Sequence, residues 1–582
     1  MVSLTINDKE VQVEKGTTIL DAAKKLHINI PTLCYTPDLP PWSSCGICIV
    51  RVAGTSKMLR ACCTEVANGM KLITHDAEIL KARRTILELI LSNHPSDCLQ
   101  CERNTNCELQ DIAAEFGLRE KPRFTQILKN QPIDNSYEVI VFDRDKCINC
   151  GRCVEACQIM QNVHAIEYTG RGDRTVIGPV AGANLSESPC VRCGQCAAHC
   201  PVGAITTQNP LTDVFEKLSD PNIISAVQIA PSVRVALGEE FGLPIGSIST
   251  GKIYTALRII GFKYVFDTNF SADLTIMEEG TELVDRLTND GPLPMFTSCC
   301  PGWVDYCEKN YHDYLPHLSS AKSPQQMQGA ITKTYFAKSI KTKPQDIYSV
   351  SIMPCTAKAY EARRDDSMYA SGVSDVDKVL TTREFASLIR LAGIDFAKLE
   401  ESEADSPIGP YSGAGTIFGA TGGVMEAAVR TAYKLVVGEE LGDLDYTAVR
   451  GLENVKVTEV NLKGKIIRLC VIHQLSSVEP VMAEIRKARD EGKEIPYHFV
   501  EVMACRGGCV AGGGQPYGVT DEVRKLRAQA LYQDDTASEI RTSHQNPLIQ
   551  KIYTDFLEKP NSHKAHELLH TKYTKRDLYS MQ

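Results

Sequence analysis

Five cysteines, Cys299, Cys300, Cys355, Cys505 and Cys509, fall in three widely separated segments: Thr297-Ser298-Cys299-Cys300-Pro301-Gly302, Met353-Pro354-Cys355-Thr356-Ala357-Lys358 and Met503-Ala504-Cys505-Arg506-Gly507-Gly508-Cys509. Four thiolates hold a 4Fe-4S cube, so the set carries one sulfur more than a cube takes. Neighbouring side chains diverge, and Cys299 and Cys300 do not comfortably share one ion. One of the two reads as a ligand and the other as a free thiol beside it.

The remaining cysteines are spaced for metal as well. Cys147-x2-Cys150-x2-Cys153-x3-Cys157 and Cys190-x2-Cys193-x2-Cys196-x3-Cys200 repeat the run of bacterial two-cluster ferredoxins, in which the last cysteine of each run ligates the other cluster. One cube then takes Cys147, Cys150, Cys153 and Cys200, and the second takes Cys157, Cys190, Cys193 and Cys196. Cys34, Cys45, Cys48 and Cys62, with ten, two and thirteen residues between them, are a variant of the ferredoxin 2Fe-2S arrangement, with Cys62 and Cys63 competing for the fourth place. Zinc modules usually pair two close knuckles, a pattern this segment lacks. His94-x3-Cys98-x2-Cys101-x5-Cys107 offers three thiols, one short of a cube, with a histidine ahead of them.

These motifs resemble those of the di-iron (FeFe) hydrogenases, and the whole chain resembles the large, multi-cluster members of that family, closest to the catalytic subunit of NAD(P)-linked electron-bifurcating enzymes. The resemblance makes Cys300, Cys355, Cys505 and Cys509 the ligands of a cube and gives Cys509 a bridge to a two-iron unit carrying CO, cyanide and an azadithiolate. Together these form the H-cluster. It makes His94 the fourth ligand beside Cys98, Cys101 and Cys107, as in the large iron-sulfur subunit of NADH dehydrogenases, and it favours Cys62 over Cys63. The expected cofactors are one 2Fe-2S cluster, three accessory 4Fe-4S clusters and the H-cluster. It further implies that Cys299 carries protons and passes them to Glu279, Ser319, Glu282 and Arg286. A free thiol titrates near 8.5, close enough to neutrality for that work. Lys358 is expected beside one cyanide and Ala230-Pro231-Ser232 beside the other, with Gln325 in contact and Met353, Phe418 and Met503 as apolar walls. Without the resemblance, Glu278, Glu279 and Glu282 read as a solvated helix face.

The elements that must position these residues follow from length and pattern. At 582 residues the chain exceeds one ordinary core. We expect a 2Fe-2S ferredoxin-like domain at 1–78, a His/Cys3 4Fe-4S domain at 79–136, a two-cluster ferredoxin-like domain at 137–212 and a catalytic H-cluster domain at 213–582. The first three read as small α+β units. In the last, β-branched runs such as Ile347–Ile352 alternate with helical patterns such as Thr381–Ile389, which argues an α/β arrangement with mainly parallel sheets, in two lobes. Cys355 follows its apolar run with two residues between, where loops of such sheets form sites. Thr18 with Asp21 reads as a capped helix start.

A net charge of -9 gives no basic footprint for nucleic acid. No apolar run reaches the ~18 residues that span a bilayer, and Met1–Asp8 alternates like a strand instead of reading as an export signal. With 23 cysteines and no such signal, metal rather than disulfides is expected, in the cytoplasm of a cell that is anaerobic or protected from oxygen. Cys63, Cys307 and Cys470 have no assigned role.

His566-Glu567-Leu568-Leu569-His570 matches the zinc-protease pattern, but little chain follows to supply a third ligand. Gly246–Ile253 misses the P-loop by placing Ile253 where Ser or Thr is required, and Gly413–Gly419 lacks dinucleotide spacing. The expected partners are H2 and protons, flavin/NAD(P)-binding and 2Fe-2S subunits, and ferredoxin. A single-chain ferredoxin-dependent hydrogenase fits the same residues. A non-catalytic iron-sulfur assembly factor would keep the cluster ligands but lack the surround of Cys299, Lys358 and Glu279.

Overall fold

The computed structural model describes residues 1–118 and 123–579. They form two compact bodies.

The first body comprises Met1–Met160, His164–Ser188 and His199–Thr206. Val2–Ile6 and Lys9–Val13 form a hairpin turned by Asn7 and Asp8, both at positive φ (50° and 62°). They join Lys71–Ile73, Ile49–Val52 and Met58–Arg60 in one five-stranded sheet. The helix Ile19–Lys25 packs its buried Ile19, Leu20, Ala22 and Ala23 into this core, and the Asp21 N–H donates to the Thr18 hydroxyl at 3.1 Å, the capped start read from sequence. Ala77–Ser92 is a longer helix, started by Asp76 and ending just before His94.

The second body comprises Gln161–Val163, Pro189–Ala198 and the chain from Thr207 onward. One sheet is all parallel, in the order Tyr264–Asp267, Ile224–Ile229, Ile347–Met353, Lys378–Thr381. The other runs Met295–Phe296, Phe499–Met503, Lys465–His473, Val455–Leu462, parallel except for its last pair. Every residue of Ile347–Met353 and Phe499–Met503 is buried, as a parallel strand covered on both faces must be. Site-forming loops leave the carboxyl ends of four of these strands: Ala230–Ser232, Ser298–Cys300, Pro354–Cys355 and Ala504–Cys505. Between the sheets' elements runs the helix Thr268–Thr288, started by the Asp267 carboxylate, which accepts from Asn269 N–H at 2.9 Å and is gripped by Arg234. Its residues 279, 282 and 286 share one face by their spacing.

The expected 137–212 segment is divided between the two bodies. Pro189–Ala198 is tied to the catalytic loops: Arg192 pairs with buried Asp305 at 2.5 Å, Lys309 Nζ donates to the Cys190 carbonyl at 2.8 Å, and the Thr356 hydroxyl donates to the Arg192 carbonyl at 2.6 Å. Such distant partners leave no mark in local spacing. Among the described residues no helix is long and apolar enough to cross a membrane.

Candidate active site

Cys299, Cys300, Cys355, Cys505 and Cys509 line one cavity of about 80 Å³ in the second body. Lys358, Gln325, Ala230, Pro231, Ser232, Met353, Phe418 and Met503 line it as well. Burial pushes the thiols of Cys300, Cys355, Cys505 and Cys509 upward from their ordinary value, and for all but Cys300 the mutual charge of neighbouring sulfurs adds to the rise. Four such thiolates packed together are stable only with compensating positive charge, which an iron cluster supplies. Glycines bring backbone against the site: a Cβ on Gly512 would lie 2.3 Å from the Pro354 carbonyl oxygen, and one on Gly508 2.6 Å from Thr421 N. The donor set and this close cradle fit a cluster.

Lys358 enters the cavity wall from the short helix Ala357–Glu361. Its Nζ donates to the Cys299 carbonyl at 3.0 Å and to Glu361 Oε2 at 2.8 Å. That carboxylate also accepts from Ser323 Oγ at 2.8 Å and Gln325 Nε2 at 3.2 Å. Gln325 is oriented further by the Ser351 hydroxyl, 2.8 Å from its Oε1. Ser232 donates to the Cys509 carbonyl at 3.2 Å, and Gln515 Nε2 donates to the Ser232 carbonyl at 3.1 Å. Glu361, Ser351 and Gln515 were missed in the sequence; only Glu361, one helical turn after Lys358, carried a local signal.

Leading away from Cys299 is a line of polar groups. Glu279 is buried, its Oε2 without a partner, and its other contact is the Ser319 hydroxyl. Ser319 Oγ donates to Glu282 Oε2 at 2.9 Å, and Arg286 Nη2 donates to Glu282 Oε1 at 2.6 Å. Burial, then the charge of Glu282, raises Glu279 to about 8. Cys299 differs from the sequence expectation of a near-neutral thiol: burial, with Glu279 adding, pushes it well above its ordinary value while Lys358 opposes the rise. Glu278 is not solvated either; Tyr553 Oη donates to its Oε1 at 2.5 Å, and His570 Nε2 lies 3.0 Å from Oε2. His570, the second histidine of the protease-like motif, also has Ser320 Oγ 2.8 Å from its Nδ1.

In the first body, Cys34, Cys45, Cys48 and Cys62 converge, Cys34 touching Cys45 and Cys62 while Cys48 touches Cys62. Cys63 points away, exposed, towards the Arg60 carbonyl. His94, Cys98, Cys101 and Cys107 line a second cavity of about 410 Å³. The His94 Nδ1 is buried without a partner, and burial lowers the imidazole towards the neutral form that binds metal. Cys147, Cys150, Cys153 and Cys200 are buried, and Cys147, Cys150 and Cys200 lie within electrostatic reach of one another. Cys157 belongs to the first body and Cys190, Cys193 and Cys196 to the second. Cys193 also lines the 80 Å³ cavity. Among the described residues no group of three or more His, Cys, Asp or Glu could hold a single metal ion.

The fold and the cysteine sites define an iron-sulfur oxidoreductase. Residues 224–513 match the iron only hydrogenase large subunit, C-terminal domain, and 521–576 the iron hydrogenase small subunit. Residues 1–77 match a 2Fe-2S iron-sulfur cluster binding domain, 83–122 the NADH-ubiquinone oxidoreductase-G iron-sulfur binding region, and 146–204 a 4Fe-4S dicluster domain. The chain is 45% identical to the NADP-reducing hydrogenase subunit HndD of Solidesulfovibrio fructosivorans, over 99% of each chain. It is 41% identical to iron hydrogenase 1 of Clostridium pasteurianum, over 99% of this chain and all of that one. The apo [FeFe]-hydrogenase HydA1 from Chlamydomonas reinhardtii superimposes with a TM-score of 0.56 and 40% identity, covering 64% of this chain and 100% of that one. The chain belongs to the FeFe hydrogenase family.

Proposed function

We propose that this chain interconverts H2 with protons and electrons at an H-cluster held by Cys300, Cys355, Cys505 and Cys509, and that it is the hydrogen-activating subunit of an NAD(P)- and ferredoxin-linked bifurcating complex. The observation that carries the reading is one cavity lined by four ligand cysteines, a fifth free thiol and a buried lysine. When bound, the di-iron unit supplies the redox-active metal at which the H–H bond is made or broken. Cys299 would hold the proton nearest that position, and Glu279, neutral below about 8, passes it through Ser319 to Glu282 and its partner Arg286. Lys358, kept charged by Glu361 against the cost of burial, would supply positive charge at the cavity wall to anionic ligands of the cofactor.

Accessory ligands are proposed as four sets: Cys34, Cys45, Cys48 and Cys62 for 2Fe-2S; His94 with Cys98, Cys101 and Cys107; Cys147, Cys150, Cys153 and Cys200; and Cys157 with Cys190, Cys193 and Cys196. They lie in the segments 1–78, 79–136 and 137–212 that precede the catalytic segment 213–582. Two links converge on the third set. Ser44, beside Cys45, donates to the Cys150 carbonyl at 3.3 Å, and Arg103 donates to the Cys200 carbonyl at 3.2 Å. Such a forked inlet suits an enzyme serving two redox partners. The NADP-reducing activity in the name of the Solidesulfovibrio relative supports the nucleotide link, and with it a cytoplasmic location.

Two measurements test this. Matured protein should evolve H2 from reduced viologen, and Cys299→Ala should not; a matured wild type that makes no gas returns the chain to the assembly-factor reading. Purification from the native source should yield partner subunits and NAD(P)-dependent activity, whereas a fully active lone chain would overturn the complex.

A further inference from the structure

Gln195 lies between Cys193 and Cys196 on the accessory-cluster loop, yet its side chain reaches the catalytic cavity. Its Nε2 donates to Cys505 Sγ at 3.2 Å and to the Ala511 carbonyl oxygen at 3.1 Å, and the residue is 3% exposed. Both partners are acceptors, which fixes the amide orientation: the NH2 end, not the oxygen, faces the sulfur.

We infer that Gln195 is a positioning residue that sets the reduction potential of the cube held by Cys300, Cys355, Cys505 and Cys509, by hydrogen-bonding the Cys505 thiolate. The inference rests on that reading of the four cysteines. A cube gains negative charge on reduction, and an N–H aimed at a ligand sulfur stabilises the reduced form more than the oxidised one. Other donors to these sulfurs, among them Ala504 N–H to Cys300 Sγ at 3.4 Å and the Ala357 and Lys358 N–H groups to Cys355, are backbone and belong to the catalytic loops themselves. Gln195 differs in coming from the loop of the neighbouring cluster. That loop is held by groups other than Gln195: Asp305 on Arg192, Lys309 on the Cys190 carbonyl and Thr356 on the Arg192 carbonyl. Removing the amide therefore takes away the hydrogen bond while leaving the loop anchored.

The test is a redox titration of the matured holoenzyme, followed by EPR and infrared spectroscopy, on wild type, Gln195→Leu, Gln195→Met and Thr356→Val. In Gln195→Leu the midpoint of the catalytic cube should fall, so that at the wild-type midpoint the oxidised-to-reduced ratio rises about tenfold, ~59 mV for a one-electron couple. The accessory midpoints should stay in place. Gln195→Met, which has no N–H to donate, should shift the cube the same way and about as far. Thr356→Val loosens the loop without touching a sulfur and should leave the cube where it is. An unmoved cube midpoint in Gln195→Leu, or an equal shift in Thr356→Val, overturns the inference. Should Gln195→Leu fail to retain its clusters, Gln195→Met, close in length to the native side chain, decides by the same criterion. A wild type with no H-cluster signal would instead overturn the reading of the four cysteines.

Discussion

The Ser319 hydroxyl donates to Oε2 of Glu282 at 2.9 Å and, on its other side, is the hydrogen-bonding partner of Glu279. Its hydroxyl stands between the buried carboxyl group of Glu279 and that of Glu282. Ser319→Ala should therefore slow H2 turnover by about 10²-fold, the lower range of what a positioned proton-transfer group contributes. Ser319→Thr, which keeps the hydroxyl, should retain most of the rate. Iron content and infrared bands of the cofactor should match wild type in both, and an Ala variant with unchanged turnover would remove Ser319 from the route.

Glu279 carries a pH signature. Burial raises it from 4.5 to about 8, so the charged form is penalised in the folded state. Its contribution to stability is fully present below about 4.5 and is lost as pH rises through about 8. Glu279→Gln, which cannot ionise, should abolish this component: the stability of wild type relative to the variant should decline between pH 5 and pH 9 in denaturant titrations. Turnover in Glu279→Gln should fall at every pH, because the amide cannot exchange the proton. A pH-independent stability difference would contradict the raised value.

The cysteine runs of the first 200 residues were legible because their spacing is local. A run such as Cys147 to Cys157 writes its geometry into adjacent residues, and the strands ending at Met353 and Met503 announce themselves by unbroken apolar composition. Long-range partners were not legible. Glu278 reads as solvated until Tyr553 and His570, far along the chain, fold onto it. The same contact disposes of the protease-like motif, since both nitrogens of His570 are already engaged. The division of the two-cluster segment likewise depends on Asp305, Lys309 and Thr356 gripping a loop more than a hundred residues away. Charge patterns on a helix face do not reveal what covers that face.

His94 offers a second separable test. Its buried, partnerless Nδ1 shows that the imidazole is held without a hydrogen bond on that nitrogen, among Cys98, Cys101 and Cys107. His94→Ala should lose one cluster, about four iron atoms per chain, while the other clusters remain. His94→Cys should keep the iron but replace a neutral ligand by an anionic one, lowering that cluster's potential alone. Full iron content in His94→Ala would mean that a different group completes the site.

The Lys358–Glu361 pair tests how the cavity tolerates charge. The two side chains are 11% and 8% exposed, and their atoms lie 2.8 Å apart. Removing one partner of a buried pair strands the other, at a cost of about 3–5 kcal/mol. Lys358→Met should therefore destabilise the protein by about that amount before the di-iron unit is inserted. Lys358→Met combined with Glu361→Gln should recover a large part of the loss, because no buried charge is left over and the amide can still meet Ser323 and Gln325. The same double variant should remain unable to make H2 after maturation, since the cation at the cavity wall is gone. Stability regained without activity separates the lysine's electrostatic work at the cofactor from its part in the fold. Activity regained with stability would show that the positive charge is dispensable there.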